Sequence, residues 1–351
     1  MKKIALFTLI LLLVSACTQT RHNPKEDNLY ITTKFVHKKE YENDAEYVDS
    51  QFGWFEVDTN DGKFHDSGVV TNRGGFSDGF VDADNGIIYY RDRHYIDDEK
   101  FKIDGDQIYS YNINTKEIEK LSDGLFMTNY VYKNKNYIYP IARTSDIDAW
   151  MLFEIDLETK DMKMVSEDED YDIRVASLNP ITEEIVTMGQ SRKEFYEALD
   201  AQVDTPESFY RSPEQKIGVY KDGRFEIVLN VGCGESVEVT ANQDYIIYYL
   251  YDEILHNQSG KTEVIFEGYR TYNRNTKETV DGIFGNQMES VKQVLYLSED
   301  SSYMIAHFVD LSQDKIIKYT FDTQKKEEIF NLEPWFGSRG TVMLKLMMHE
   351  E

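Results

Sequence analysis

From Leu29 onward, apolar and polar residues alternate over short runs bounded by Asn, Asp, Gly and Lys. Successive side chains of a strand point to opposite faces, so this rhythm predicts half-buried β-strands, and helical periodicity is almost absent. One unit recurs six times: an aromatic-rich strand, an Asp or Asn, a polar turn, and a second strand running away. Its copies fall at residues 53–58, 109–114, 152–156, 218–222, 270–275 and 318–322. The markers Asp58, Asn114, Asp156, Asp222, Asn275 and Asp322 are 42 to 66 residues apart. Three copies continue with Thr-Lys (Thr115-Lys116, Thr159-Lys160, Thr276-Lys277), and Asp222-Gly223-Arg224 is a shorter turn. Asn, Asp and Gly tolerate left-handed backbone or bond their own main chain, so these are hairpin turns. A more apolar strand precedes each copy, at Leu29–Val36, 86–90, 137–141, 184–188, 245–251 and 303–309. The period is that of a four-stranded propeller blade with loop insertions. The expected fold is all-β: a six-bladed β-propeller of four-stranded antiparallel blades.

The two ends of this region supply an independent constraint. No strand precedes Leu29 to serve as the innermost strand of blade one, and the apolar run 341–348 has no partner of its own. Joining that run to blade one closes the ring and removes exposed sheet edges. The segment 191–215 breaks the pattern: Phe195 and Leu199 are four apart and Pro206 and Pro213 follow. It predicts a short amphipathic helix and loop inserted between two strands of blade four. Trp54, Trp150 and Trp335 are expected to wedge between blades.

The first residues carry a different signal. Lys2 and Lys3 precede an apolar run from Ile4 to Val14, followed by Ser15-Ala16-Cys17. A basic start, a short apolar stretch and small residues before a cleavage point describe an export signal, too short to cross a bilayer comfortably. Leu13-Val14-Ser15-Ala16-Cys17 resembles the bacterial lipobox. That resemblance implies cleavage between Ala16 and Cys17 and diacylation of the Cys17 sulfur. The expected organisation is a signal peptide at 1–16, a polar tether at 17–28 and a propeller domain at 29–351. Thr18 rather than Asp follows the cysteine. The expected place is therefore the outer membrane of a diderm cell, or the outer face of the membrane of a monoderm one.

Charge narrows the partners. The chain has 38 basic and 64 acidic residues, a net charge of −26, and loss of residues 1–16 would make it −28. Nucleic-acid binding needs clustered Lys and Arg, so that class is excluded. With Cys17 lipidated, only Cys233 remains and no intramolecular disulfide can form. Between Gly232 and Gly234, Cys233 is expected to be a small buried residue, since nothing nearby lowers a thiol pKa.

With the turns placed, residues 29–348 resemble the TolB-like six-bladed β-propellers. The stretch Leu297-Ser298-Glu299-Asp300-Ser301-Ser302-Tyr303-Met304-Ile305-Ala306 is similar to that family's strand opening, with Glu299 and Ser301 in place of its Pro and Gly. Propellers of this kind serve as scaffolds, binding modules and enzymes alike.

Catalytic patterns are sparse. Gly75-Phe76-Ser77-Asp78-Gly79 matches the nucleophile elbow, but that pattern needs a strand turning into a helix, and Asp84-Asn85-Gly86 turns into another strand. The loop is read as a crossing between blades one and two. His307, in an apolar strand, reads as a satisfied core residue; His94 reads as a surface-loop residue. Asp82-x-Asp84-Asn85-Gly86 and the acidic run 167–172 lack the ligand spacing of an EF-hand and read as acidic turns. No cofactor, metal or catalytic residue is assigned. The 25 tyrosines exceed what a core requires, and some are expected at the axial mouth, where they suit recognition. The expected function is a membrane-tethered, non-catalytic module binding a protein, peptide or glycan, with membrane lipid held through Cys17. Two alternatives stand: an envelope enzyme, such as a lyase or glycoside-acting propeller, with paired carboxylates at the axis; and a structural subunit of an envelope complex.

Overall fold

The computed structural model describes residues 28–36, 50–72, 79–95, 103–166, 168, 170–204, 209–211, 213–256, 261–310, 313–332 and 343–348. Six antiparallel sheets surround an axis, each led from the axis outward by chain order. Blade one holds β1 (Leu29–Val36), β2 (Ser50–Asp58) and β3 (Phe64–Asn72), and β25 (Met343–Met348) lies inside β1 as its innermost strand. Blade two is β4 (Gly79–Asp82), β5 (Ile87–Tyr95), β6 (Ile103–Asn112) and β7 (Ile118–Lys120). Blade three is β8 (Leu125–Asn134), β9 (Tyr137–Thr144), β10 (Met151–Asp156) and β11 (Met162–Met164). In blade four, β12 (Tyr171–Asn179) and β13 (Glu184–Ser191) lead through helix α1 (Arg192–Asp204) and β14 (Phe209–Arg211) to β15 (Glu214–Lys221) and β16 (Arg224–Cys233). Blade five is β17 (Glu235–Ala241), β18 (Tyr245–His256), β19 (Lys261–Asn273) and β20 (Thr279–Asp281). Blade six is β21 (Val291–Leu297), β22 (Tyr303–Asp310), β23 (Gln313–Thr320) and β24 (Lys325–Asn331).

The expected closure is observed: β25 pairs antiparallel with β1 from Leu29↔Met348 to Lys34↔Met343. The expected insertion is also present, as α1. Its first turn is tied down by Asp170, whose carboxylate accepts from the Lys193 backbone N–H (2.7 Å) and the Ser191 hydroxyl (2.6 Å). Carboxylates at a helix start complement its free N–H groups. Unforeseen in the sequence, β14 crosses to blade five and pairs with the far end of β18 (Phe209↔His256, Arg211↔Ile254), giving that blade a fifth strand.

Four of the six turns share one geometry. Asp58, Asn112, Asp156 and Asn273 each use a side-chain oxygen to accept backbone N–H groups two and three residues on. The residue four positions on, Gly62, Lys116, Lys160 or Lys277, is left-handed (φ 64° to 68°) and donates its N–H to the carbonyl of the first. In two copies the functional marker is therefore Asn112 or Asn273, two residues before the expected Asn114 and Asn275. The first position is the one whose carbonyl closes the turn. Asp222 and Gly223, both left-handed, form the two-residue type that right-twisted strands favour.

The core sits between blades rather than inside one. One cluster joins Tyr171, Ile173 and Ile185 of blade four to Tyr139, Ile141 and Leu152 of blade three. Another joins Ile247 and Tyr269 of blade five to Val294, Met304 and Ala306 of blade six. Tyrosines add hydrogen bonds across these seams: Tyr30 to the Val81 carbonyl (3.1 Å), Tyr220 to the Glu154 carboxylate (2.6 Å) and Tyr132 to the Ala176 carbonyl. Much of the tyrosine excess is thus structural, because a phenol fills apolar space and still reaches a polar partner at the rim. Trp150 is half-buried at the seam of blades three and four, with the Arg143 guanidinium 4.6 Å from its ring. The Trp54 side chain and Trp335 lie outside the described residues.

Side-chain bonds also link neighbouring blades. Asn179 donates to the Ala241 carbonyl (3.0 Å) and Asn242 to the Ser298 carbonyl (2.7 Å), so equivalent turns hand on from blade four to five to six. Arg274 forks onto Glu184 (2.6 and 3.1 Å), and Lys133 pairs with Asp82 (3.1 Å). Asp82, read above as part of an acidic turn, is buried and committed to Lys133 and to Asn85. His94 belongs to β5 and not to a surface loop, because the β5–β6 ladder runs on to Tyr95↔Ile103. His307 is buried in β22 with Nε2 2.7 Å from Asp314. Burial holds its pKa below the ordinary value against the pull of that carboxylate.

Candidate functional site

The connections between second and third strands, and the crossings from one blade to the next, share one end of the ring; α1 lies there. Two cavities are built by the inner and middle strands. The first is axial. Tyr130 and Tyr132 of β8, Ser177 of β12, Glu238 of β17, Gln293 of β21 and Lys345 of β25 are among its lining residues. Its volume is about 80 Å³. That is well below the ~300–1,000 Å³ of ligand pockets and leaves room for a few waters. The innermost strands of five of the six blades contribute to its lining.

Two ionisable groups stand at this axis. Lys345 is buried; its Nζ donates to the Val131 carbonyl and lies 4.5 Å from the Tyr132 ring centre. Glu238 is buried too, accepting from the Tyr269 hydroxyl (2.9 Å) and the Val294 N–H. Burial pushes its pKa up to about 8, although both hydrogen bonds pull the other way. Two neutral donors do not replace the hydration of a carboxylate, so desolvation wins. Ser177 Oγ is buried and makes no hydrogen bond to the described protein, which a water in the cavity would supply.

The second cavity is lateral and larger, about 350 Å³. Blade five makes it because β18 and β19 are 12 and 13 residues long, where the second strands of the other blades have eight or nine. Tyr249↔Tyr269 is a cross-strand pair whose rings meet edge to face at 4.9 Å. Glu267, two residues from Tyr269, shares that face and accepts from the Tyr249 hydroxyl (3.0 Å). Burial, followed by this carboxylate, pushes Tyr249 up to about 12. The crossing to blade six supplies the other wall with Gln287, Met288 and Glu289. That crossing needs Gly282, at φ +80°, where a Cβ would sit 2.5 Å from the Asn286 carbonyl oxygen. Tyr269 joins the cavities, its ring in the lateral wall and its hydroxyl on Glu238.

Towards the tip of the same hairpin, a bulge between Asp252 and Glu253 leaves Ile265 as the extra residue, and Val264 and Ile265 are 50% and 47% exposed. Such a pair on an acidic surface is an apolar contact point.

Among the described residues, two carboxylates line the lateral cavity and one the axial cavity. Glu267 and Glu289 both line the lateral cavity, and both are exposed. Glycoside chemistry sets one carboxyl apart by burial so that it keeps its proton. The buried one here, Glu238, faces the cavity that is too small. Among the described residues no three His, Cys, Asp or Glu side chains converge to hold a metal ion. Residues 1–27, with Ala16 and Cys17, and Ser77 with residues 73–78 lie outside the described residues, as do Glu167 and Glu169. Cys233 is half-buried, not buried as expected, at the end of β16, where it pairs with Glu214, the exposed first residue of β15. No described helix is long and apolar enough to cross a membrane.

Fold and cavities define a closed six-bladed β-propeller with a lateral pocket in its fifth seam. Among solved structures it is similar to TolB from Acinetobacter baumannii, at a TM-score of 0.51 and 12% identity over 92% of this chain and 67% of that one. It is also similar to a chain of a nidogen/laminin complex (TM-score 0.44, 9% identity, covering 91% and 98%). A third is an oligogalacturonate lyase bound to manganese (TM-score 0.35, 12% identity, covering 73% and 84%). The TolB match shows the shared fold. No protein-family model and no curated protein matches the sequence.

Proposed function

We propose that this chain is an envelope lipoprotein whose propeller binds a protein or peptide, without catalysis, through the seam of blades five and six. The observation that carries the reading is the enlarged fifth blade. Its long hairpin, braced by β14, presents an open pocket of about 350 Å³ and, further out, the exposed pair Val264 and Ile265. A pocket beside an apolar point suits a partner that inserts one side chain and lays down a flanking segment. The small axial cavity supports a structural role for the centre of the ring.

The anchor rests on the sequence. Ala16–Cys17 is the cleavage point, Cys17 carries the acyl chains, and residues 17–28 form a tether. Two or more acyl chains hold a protein at a membrane where one does so only marginally. Feeding cells a palmitate analogue should label the wild type and leave Cys17→Ala unlabelled. Equal labelling removes the anchor from this reading. For binding, a photocrosslinker at position 265, compared with one at exposed Lys63 of blade one, should trap a discrete partner from intact envelopes. Adducts equally frequent at both positions would refute the assigned face.

A further inference from the structure

We propose that the lateral pocket of blades five and six selects a guanidinium group, so that the partner presents an arginine side chain. This deepens the binding reading above and rests on it for the claim that the ligand is a protein or peptide. Among the described residues the lining contains two carboxylates, Glu267 and Glu289, and no Lys, Arg or His. The chain as a whole carries −26, so the field at the pocket mouth favours a cation in approach as well as in contact. Two further walls are the tyrosine rings at 249 and 269 and the Met288 side chain. A guanidinium is weakly hydrated, lies flat against aromatic rings and forks onto carboxylates, whereas an ammonium is compact and holds its water. The volume, near the lower end of the ~300–1,000 Å³ of ligand pockets, suits one long side chain. Glu267 is oriented beforehand by the Tyr249 hydroxyl at 3.0 Å, which lowers the entropy lost when the cation arrives.

The test uses the full chain with methyl-labelled methionine and follows Met288, assigned through Met288→Leu. The probes are an end-blocked Gly-Arg-Gly peptide and the same peptide with citrulline, which keeps the shape and loses the charge. The arginine peptide should move the Met288 resonance saturably, and the citrulline peptide should bind at least about ten-fold more weakly. The double variant E267Q/E289Q should lose about ten-fold in affinity for arginine and nothing for citrulline. Both glutamates are exposed, so the variant should melt with the wild type. Equal affinities for the two peptides, an unshifted Met288, or an unaffected double variant would overturn the proposal. Crosslinks concentrated at position 265 alongside any of those results would leave the binding reading standing and this one refuted. Selective arginine binding with no such crosslinks would do the reverse.

Discussion

Glu238→Gln isolates the energetic consequence of placing a carboxyl at the closed axis. In the folded protein Glu238 holds its proton up to about pH 8, against an ordinary value of 4.5. Between these values the unfolded chain has released a proton that the folded one retains. Stability from this group is thus fully present below pH 4.5 and falls as pH rises, by about 1.4 kcal/mol per unit, until it levels off above about 8. From pH 5 to pH 9 the loss is about 4 kcal/mol, a large share of the ~5–15 kcal/mol that holds a domain folded. Glutamine is neutral like the protonated form, and its carbonyl can still accept from the Val294 N–H. The wild type and E238Q should therefore be close in stability at pH 5 and diverge by about 4 kcal/mol, in favour of the variant, at pH 9. Urea unfolding at pH 5, 7 and 9, followed by tyrosine and tryptophan fluorescence, measures the difference. A gap between the two proteins that stays constant over this range would refute the buried, proton-holding carboxyl.

Further outcomes follow from the ring and its turns. Lys345→Met removes a charge-assisted bond to the Val131 carbonyl and a contact with the Tyr132 ring, and should cost about 2 kcal/mol in urea unfolding. Deleting residues 341–351 takes away β25 altogether and should abolish the cooperative transition; a truncation that unfolds like the full chain would contradict closure at blade one. Asn112→Ala, which removes the oxygen that accepts two backbone N–H groups at 2.9 Å, should cost about 1 kcal/mol. Asn114→Ala should cost less than about 0.5 kcal/mol in the same melt, and equal losses would show the turn to be misassigned.

The sequence was legible wherever the governing forces are local. Alternation of side chains along 53–58 or 303–309 reports a strand because the pleat has a period of two. An Asn or Asp before Thr-Lys reports a turn because its side chain competes for the neighbouring N–H groups. Repeating that pair six times gave the blade count, and the unpartnered apolar run near residue 344 gave the closure. Local cues were coarse by two residues at Asn112 and Asn273, since composition does not say which of two asparagines closes the turn. They also placed His94 outside its strand, because a polar run such as Arg91-Asp92-Arg93-His94 looks the same in a ladder as in a loop.

The candidate site was not legible, because it depends on distance rather than order. Glu267 and Glu289 are 22 positions apart and line one cavity only because the crossing after β20 folds back beside β19. Glu238 looks in sequence like any strand glutamate; its raised pKa exists only where blades five and six exclude water around it. Nor could tyrosine content tell Tyr220, committed to Glu154 across a seam, from Tyr249, which walls an open pocket. Strand rhythm, turn chemistry and the motif at Cys17 are properties of neighbouring residues, and the chain states them directly. Which carboxyl is buried, which cavity is wide enough for a ligand and which blade reaches out are set by packing between sheets, and they are decided only when the ring closes.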